Sequence, residues 1–137
     1  MEVQRYATLA PLGVPHEVVD DTFLQGYAIP KGAIILANIW AIHHDPEVWT
    51  NPEEFRPERF LDDEGNICQP KEYMPFSVGL RKCVGENLAK KELFIVFSSL
   101  LHRFTFKTPP GVETSLEGTL GASFVPKPYE IIVINRD

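Results

Sequence analysis

The sequence predicts an α+β fold, and three observations carry that prediction. One long proline-free segment, Val84 to Phe104, holds a helical period, with Ala89, Leu93, Val96 and Leu100 at i, i+4, i+7 and i+11. Short runs of β-formers lie on both sides of it, among them Phe23, Tyr27, Ile29, Ile34 and Ile35 before and "YEIIVIN" after. Between the first runs and the helix lies a stretch, Asp45 to Pro75, with no period of 2 or 3.6.

The elements follow in order. Glu2 to Leu9 reads as the last turns of a helix, which the prolines of "APLGVPH" then force into an extended path. "QG" at Gln25–Gly26 and "PKG" at Pro30 to Gly32 are turn signals, so this region predicts a hairpin followed by a strand through about Asn38. A short helical turn fits Trp40 to His44. The stretch after it carries Pro46, Pro52, Pro57, Pro70 and Pro75, and an aperiodic run of that length is unusual without a role. Trp49, Phe55 and Phe60 recur along it and predict that it packs down by its aromatics. The long helix is apolar on most sides and is expected to be largely buried. "PPG" at Pro109 to Gly111 breaks the chain, and a terminal strand is predicted at Tyr129 to Asn135.

Composition bounds the function. The chain has 137 residues, enough for one domain with its own core. Hydrophobic residues are 44% and charged residues 23%, an ordinary soluble balance that argues against intrinsic disorder. A net charge of -6 argues against a general nucleic-acid role. "MEVQRYATL" lacks the apolar core of a signal peptide, and no run approaches the roughly 18 apolar residues of a membrane span. The opening reads as a helix end with no cap before it, so a fragment or truncated product is expected. Two cysteines, Cys68 and Cys83, make no disulfide scaffold, and both read as reduced thiols.

The chemistry gathers in "FSVGLRKCVG", Phe76 to Gly85. Cys83 precedes the predicted helix, where unpaired N–H groups and the dipole favour an anion, with Arg81 and Lys82 beside it. Gly79 and Gly85 let the backbone turn and a flat group approach. In an extended loop Arg81 and Cys83 point to one side, which suits an object bearing a metal for the sulfur and a carboxylate for the guanidinium. On spacing alone, a metal ligand and a buried structural cysteine both stand. A nucleophilic or redox thiol is a third reading, without a partner base near in sequence, since His16, His43, His44 and His102 are all distant.

The stretch resembles the haem-binding signature of the cytochrome P450 family, Phe-x-x-Gly-x-Arg-x-Cys-x-Gly, with Phe76, Gly79, Arg81, Cys83 and Gly85 at its fixed positions. "EVQR" resembles that family's Glu-x-x-Arg motif through Glu2 and Arg5, and "FRPERF" its meander motif. "PLGVPH", "GYAIPKG" and "HHDPEVWTNPEEFRPERFLD" resemble the vertebrate microsomal branch. The resemblance covers essentially the whole chain and implies the C-terminal part of the mainly helical P450 fold: the end of the Glu-x-x-Arg helix, a small sheet, the meander, the cysteine loop, a long buried helix and terminal strands. It lacks the membrane anchor and the distal helix that carries the oxygen-activating groups, so no catalytic residue is expected here.

The resemblance implies haem as cofactor, with Cys83 as proximal thiolate on the iron, Phe76 shielding it, and Arg81 and His16 on the propionates. It implies that an arginine of the meander, Arg59 ahead of Arg56, completes a structural network with Glu2 and Arg5. Ala10 to Val14 and the turn near Ala122 and Ser123 should touch substrate. The whole enzyme would be a microsomal monooxygenase of the endoplasmic reticulum, taking electrons from NADPH–cytochrome reductase and hydroxylating a lipophilic fatty acid, steroid or xenobiotic. "LQGYAIPKG" and "RFLDDEG" lean towards a fatty-acid hydroxylase type. Lys82, Lys90 and Lys91, with exposed parts of Arg81, are candidates for a reductase-docking patch, against a plain reading as solvated helix charges. A truncated chain without stable haem is the alternative function.

Overall fold

A computed structural model describes residues 1–136. The chain opens with α1 (Glu2–Ala7), which stops at Thr8 in a left-handed conformation with its N–H on the Gln4 carbonyl. Strand β1 (His16–Glu17) pairs antiparallel with β4 (Ile34–Ile35), and between them β2 (Thr22–Leu24) and β3 (Tyr27–Ile29) form the predicted hairpin. Its two turn residues, Gln25 and Gly26, both have positive φ, at 50° and 87°. That backbone matches the strands' own twist, and Gly26 adopts it without strain.

Helix α2 (Ile39–His43) starts on Asn38, whose side chain accepts the Ala41 N–H at 3.0 Å. The meander that follows is held by a 3-10 turn at Pro57–Phe60, with proline in its first turn. A second 3-10 turn, Gly79–Arg81, leads into α3 (Glu86–Arg103). Four strands complete the chain, and only the last falls in a predicted strand. Strand β5 (Phe104–Lys107) pairs with β8 (Ile132–Asn135), and β6 (Gly118–Leu120) pairs with β7 (Phe124–Pro126).

The buried centre lies under the meander. Trp49, Phe60 and Tyr73 form an aromatic cluster, with Met1 packed against it. Trp49 and Phe60 ring centroids are 5.7 Å apart, and Phe60 meets Tyr73 edge-on at 5.2 Å. The Trp49 indole N–H donates to the Ile42 carbonyl at 2.9 Å, tying the meander to α2. Phe55, expected in this cluster, stays exposed and meets Tyr6 edge-on instead.

The expectation of a long buried helix needs correction in one respect. The helix forms, but none of its residues is buried, and Phe94, Ile95 and Val96 are among its exposed side chains. Nothing among the described residues covers these faces, so the apolar surface that reads as core in sequence has no partner among them. No helix of the described residues is long and apolar enough to cross a membrane.

Candidate haem-ligand loop and its support

The support begins with an ion network at the base of α1. Arg5 is fully buried and Glu2 nearly so. Arg5 Nε and Nη2 donate to the two Glu2 carboxylate oxygens at 2.8 and 2.9 Å, a bidentate fork that one helical turn of spacing permits. The remaining guanidinium donors reach the carbonyls of His43 at 2.7 Å and Pro52 at 2.8 Å. Arg59 completes the trio. Its Nε donates to Glu2 Oε1 at 3.1 Å, and its other nitrogens hold the carbonyls of Thr50, Asn51 and Glu54. Arg56 gives Glu2 only its backbone N–H, at 3.0 Å, while its side chain turns outward towards Glu54. The network arginine is therefore Arg59. Burial alone would raise the Glu2 carboxyl. The Arg5 bonds, the Arg56 amide and the charges of Arg5 and Arg59 outweigh it and hold that carboxyl below its ordinary value.

His43 connects this network to the loop. It is fully buried in the last turn of α2. Its Nε2 accepts the Met74 N–H at 3.1 Å, so Nδ1 carries the proton and donates to Thr8 Oγ1 at 3.0 Å. Thr8 in turn donates to the Arg5 carbonyl. The imidazole stacks near Tyr73 and meets Trp49 edge-on. Burial, with the charges of His44 and Arg5, pushes its pKa down to about 4, so it is neutral at ordinary pH. Sequence reasoning took His43 only as a distant candidate base. The available signal was a histidine on an otherwise apolar helical turn, "IWAIH".

The loop turns sharply after Met74. The Ser77 N–H returns to the Met74 carbonyl at 3.0 Å, and Ser77 and Gly79 both have positive φ, 62° and 78°. The Cys83 N–H donates to the Phe76 carbonyl at 2.9 Å, which closes the loop. Cys83 lies two residues ahead of the helix N-cap, Gly85, not inside the first turn. Both Cys83 and Cys68 are free and exposed.

Phe76, Gly79, Arg81, Cys83 and Gly85 thus share one short loop, and His16 does not join them. It sits exposed on β1, with no hydrogen bond to the loop among the described residues. The Arg81 side chain is exposed as well, and no described residue forms an ion pair with it. On the flank, Lys82 and Lys90 converge on Glu86 at 3.4 and 2.7 Å, while Lys90 also lies over the Phe76 ring. A cavity of about 280 Å³ opens there, lined by Phe76, Lys82, Glu86 and Lys90, but it does not include Cys83.

The donor set and the open space fit a flat thiolate-bound group. One free thiol faces outward. Leu80 and Val84, on either side of it, have their whole side chains exposed. A Cβ built on Gly79 would meet nothing within 4 Å, and one on Gly85 would meet only the Cys83 sulfur, at 3.9 Å. The described residues contain no cluster of His, Cys, Asp and Glu that would hold a bare metal ion. A single thiolate would suit an iron that carries most of its ligands in its own macrocycle.

The two stretches expected to touch substrate also meet. The Phe124 N–H donates to the Leu9 carbonyl at 2.8 Å, which sets the β6–β7 turn, with Ala122 and Ser123, against the start of Ala10 to Val14. Leu9, Leu12 and Val14 are exposed beside it.

Comparisons with known proteins agree with this arrangement. The family described as "Cytochrome P450" matches residues 1–133. Cytochrome P450 2U1 of Bos taurus is 47% identical over 136 residues, which is 99% of this chain and 25% of that protein. Human cytochrome P450 2J2 is 44% identical over 133 residues, 97% of this chain and 26% of its own length. A solved zebrafish cytochrome P450, determined with abiraterone, superposes with a TM-score of 0.89 at 42% identity, covering 98% of this chain and 31% of that one. The chain therefore spans about a quarter of the length of the curated relatives it matches.

Proposed function

Because the chain belongs to the cytochrome P450 family, we propose that it is the haem-thiolate part of a monooxygenase, the C-terminal portion of a longer P450 domain. The observation that carries the reading is the Phe76–Gly85 loop, which closes on the Cys83 amide and leaves the thiol open beside Gly85. A haem iron bound through cysteine thiolate supplies the electron-rich centre that activates oxygen for insertion into a C–H bond.

This chain's residues contribute holding and shielding. Cys83 is the iron ligand. Phe76, half-buried and hydrogen-bonded through its carbonyl to the Cys83 amide, would shield the sulfur once the group covers the exposed thiol. Arg81, free of internal ion pairs among the described residues, binds a propionate, and His16 supplies a second donor to the same edge. Ala10 to Val14 and the Ala122–Ser123 turn form one apolar wall for a lipophilic substrate such as a fatty acid, steroid or xenobiotic. Electrons come from NADPH–cytochrome reductase, with Lys91 and Arg81 as the cations not already paired to Glu86, and the protein resides at the endoplasmic reticulum.

The exposed apolar faces of α3 support a second reading for the 137 residues taken alone, in which haem is not held stably. The reduced, CO-treated absorption spectrum separates the two. A far red-shifted Soret band from a longer polypeptide containing this chain, lost in Cys83→Ala, is the expected result. No haem uptake by that longer polypeptide would overturn the assignment. Uptake by the longer polypeptide but not by the 137 residues would support the second reading.

A further inference from the structure

The Cys83 loop needs a fixed root. Its last backbone donor before Phe76 is the Met74 N–H, since Pro75 has none. That donor ends on a side chain of another element, His43. The Met74 carbonyl is also engaged, by Ser77. Both polar groups of one residue are therefore used to aim the segment that carries Phe76 and then Cys83.

The imidazole that accepts this bond is fixed from behind. Nδ1–H donates to Thr8 Oγ1, Thr8 donates to the Arg5 carbonyl, and Arg5 Nη1 holds the His43 carbonyl. Tyr73 and Trp49 confine the ring, and the Tyr73 hydroxyl donates to Gln4. The groups facing the ring are thus Arg5, Thr8, Tyr73, Trp49, His44 and the Met74 amide, and no carboxylate stands among them. Such a ring can serve as an acceptor at Nε2 only while neutral.

We propose that His43 is a positioning residue for the Cys83 thiolate: its Nε2 anchors the Met74 amide at the root of the ligand loop, in register with the Glu2–Arg5–Arg59 network. The proposal rests on the haem-thiolate reading for its consequence, although the anchoring bond stands without it. Two variants separate the ring's two ends. His43→Gln can present an acceptor near the Nε2 position, whereas His43→Asn reaches only the Nδ1 position towards Thr8 and leaves Met74 without an acceptor.

The test uses the full-length haem protein carrying this sequence and reads two quantities. Amide exchange at Met74 should accelerate about tenfold or more in His43→Asn and stay within about threefold of the parent in His43→Gln, the scale set by one buried hydrogen bond. The share of the reduced CO complex with a thiolate-type Soret band should fall in His43→Asn and persist in His43→Gln. A purely structural role would make both readouts follow thermal stability alike in the two variants. Unchanged Met74 exchange in His43→Asn overturns the proposal. If His43→Asn does not fold, loss of Met74 protection or of the thiolate band in a folded His43→Gln overturns it, and retention of both supports it. A parent protein with no thiolate band refutes the haem reading, while the Met74 exchange ratio still tests the anchor.

Discussion

Replacing Arg5 by methionine removes the hub of the buried network while keeping most of the side chain's apolar stem. Arg5 is wholly inaccessible, and its loss leaves Oε2 of a Glu2 side chain that is 2% exposed without a donor, with only Arg59 and the Arg56 amide remaining on Oε1. It also leaves the His43 and Pro52 carbonyls without their guanidinium donors. Breaking a buried ion pair from one side costs about 3–5 kcal/mol, a large share of the roughly 5–15 kcal/mol that stabilises a domain. A small domain with a urea m-value of about 2 kcal/mol/M would lose about 2 M of midpoint, and the larger m-value of the full-length chain makes its drop proportionally smaller. The assay is urea unfolding of the full-length protein, followed by far-UV circular dichroism. Arg59→Met removes one bond to Glu2 but mostly partly exposed carbonyl contacts, and should cost about 1–3 kcal/mol. Arg56→Met leaves the amide bond to Glu2 in place and should cost less than about 0.5 kcal/mol. A loss under about 1 kcal/mol for Arg5→Met, or an order with Arg56 ahead of Arg59, would refute the reasoning, because it would mean the network behaves as a solvated surface pair.

Acid should weaken the fold through His43. Its pKa is about 4 in the fold against an ordinary 6.5, so the unfolded chain binds a proton that the folded chain excludes. Stability then falls as pH drops from about 6.5 through about 4, by about 3 kcal/mol, and this component is absent in His43→Gln; urea midpoints against pH read it directly. Glu2 adds an acid-labile component at lower pH, because its lowered carboxyl stabilises the fold above the ordinary carboxylate range and loses that effect as pH falls through the folded value. Gly118→Ala would drive a Cβ into the Phe124 ring and to 2.8 Å from the Val125 carbonyl, and should cost about 1–3 kcal/mol in thermal unfolding; an unchanged midpoint would mean that the hairpin shifts freely. Phe94→Lys with Phe97→Lys should reduce self-association of the 137-residue chain in sedimentation velocity, since both rings are more than half exposed there.

Much of this was legible in the residues, and the failures have physical causes. The hairpin at Gln25–Gly26 and the helix period of α3 come from local rules of turn chemistry and spacing, and both elements formed. The predicted helix takes in Phe104, the first residue of β5, because no turn residue separates it from Arg103, and the rest of β5 is too short a run to signal a strand by itself; its pairing with β8 is a long-range fact. The choice between Arg59 and Arg56 also depends on tertiary geometry. Pro57 begins a 3-10 turn, which leaves Arg56 extended ahead of it and swings Arg59 back to Glu2. His43 was passed over because its partners, Thr8 and Met74, lie far from it along the chain. Burial of α3 was overestimated because an apolar helix states a demand for cover without saying which polypeptide meets it.

The Phe124–Leu9 backbone bond makes the two ends of this chain a single unit of exchange. Chimeras between related sequences that swap the Leu9–Val14 segment without the β6–β7 hairpin would pair one parent's exit from α1 with the other parent's turn. The seam between them would lie in the wall proposed to face substrate. Natural variation in that wall is then best compared as joint combinations of the two segments, and directed libraries would gain by diversifying them together.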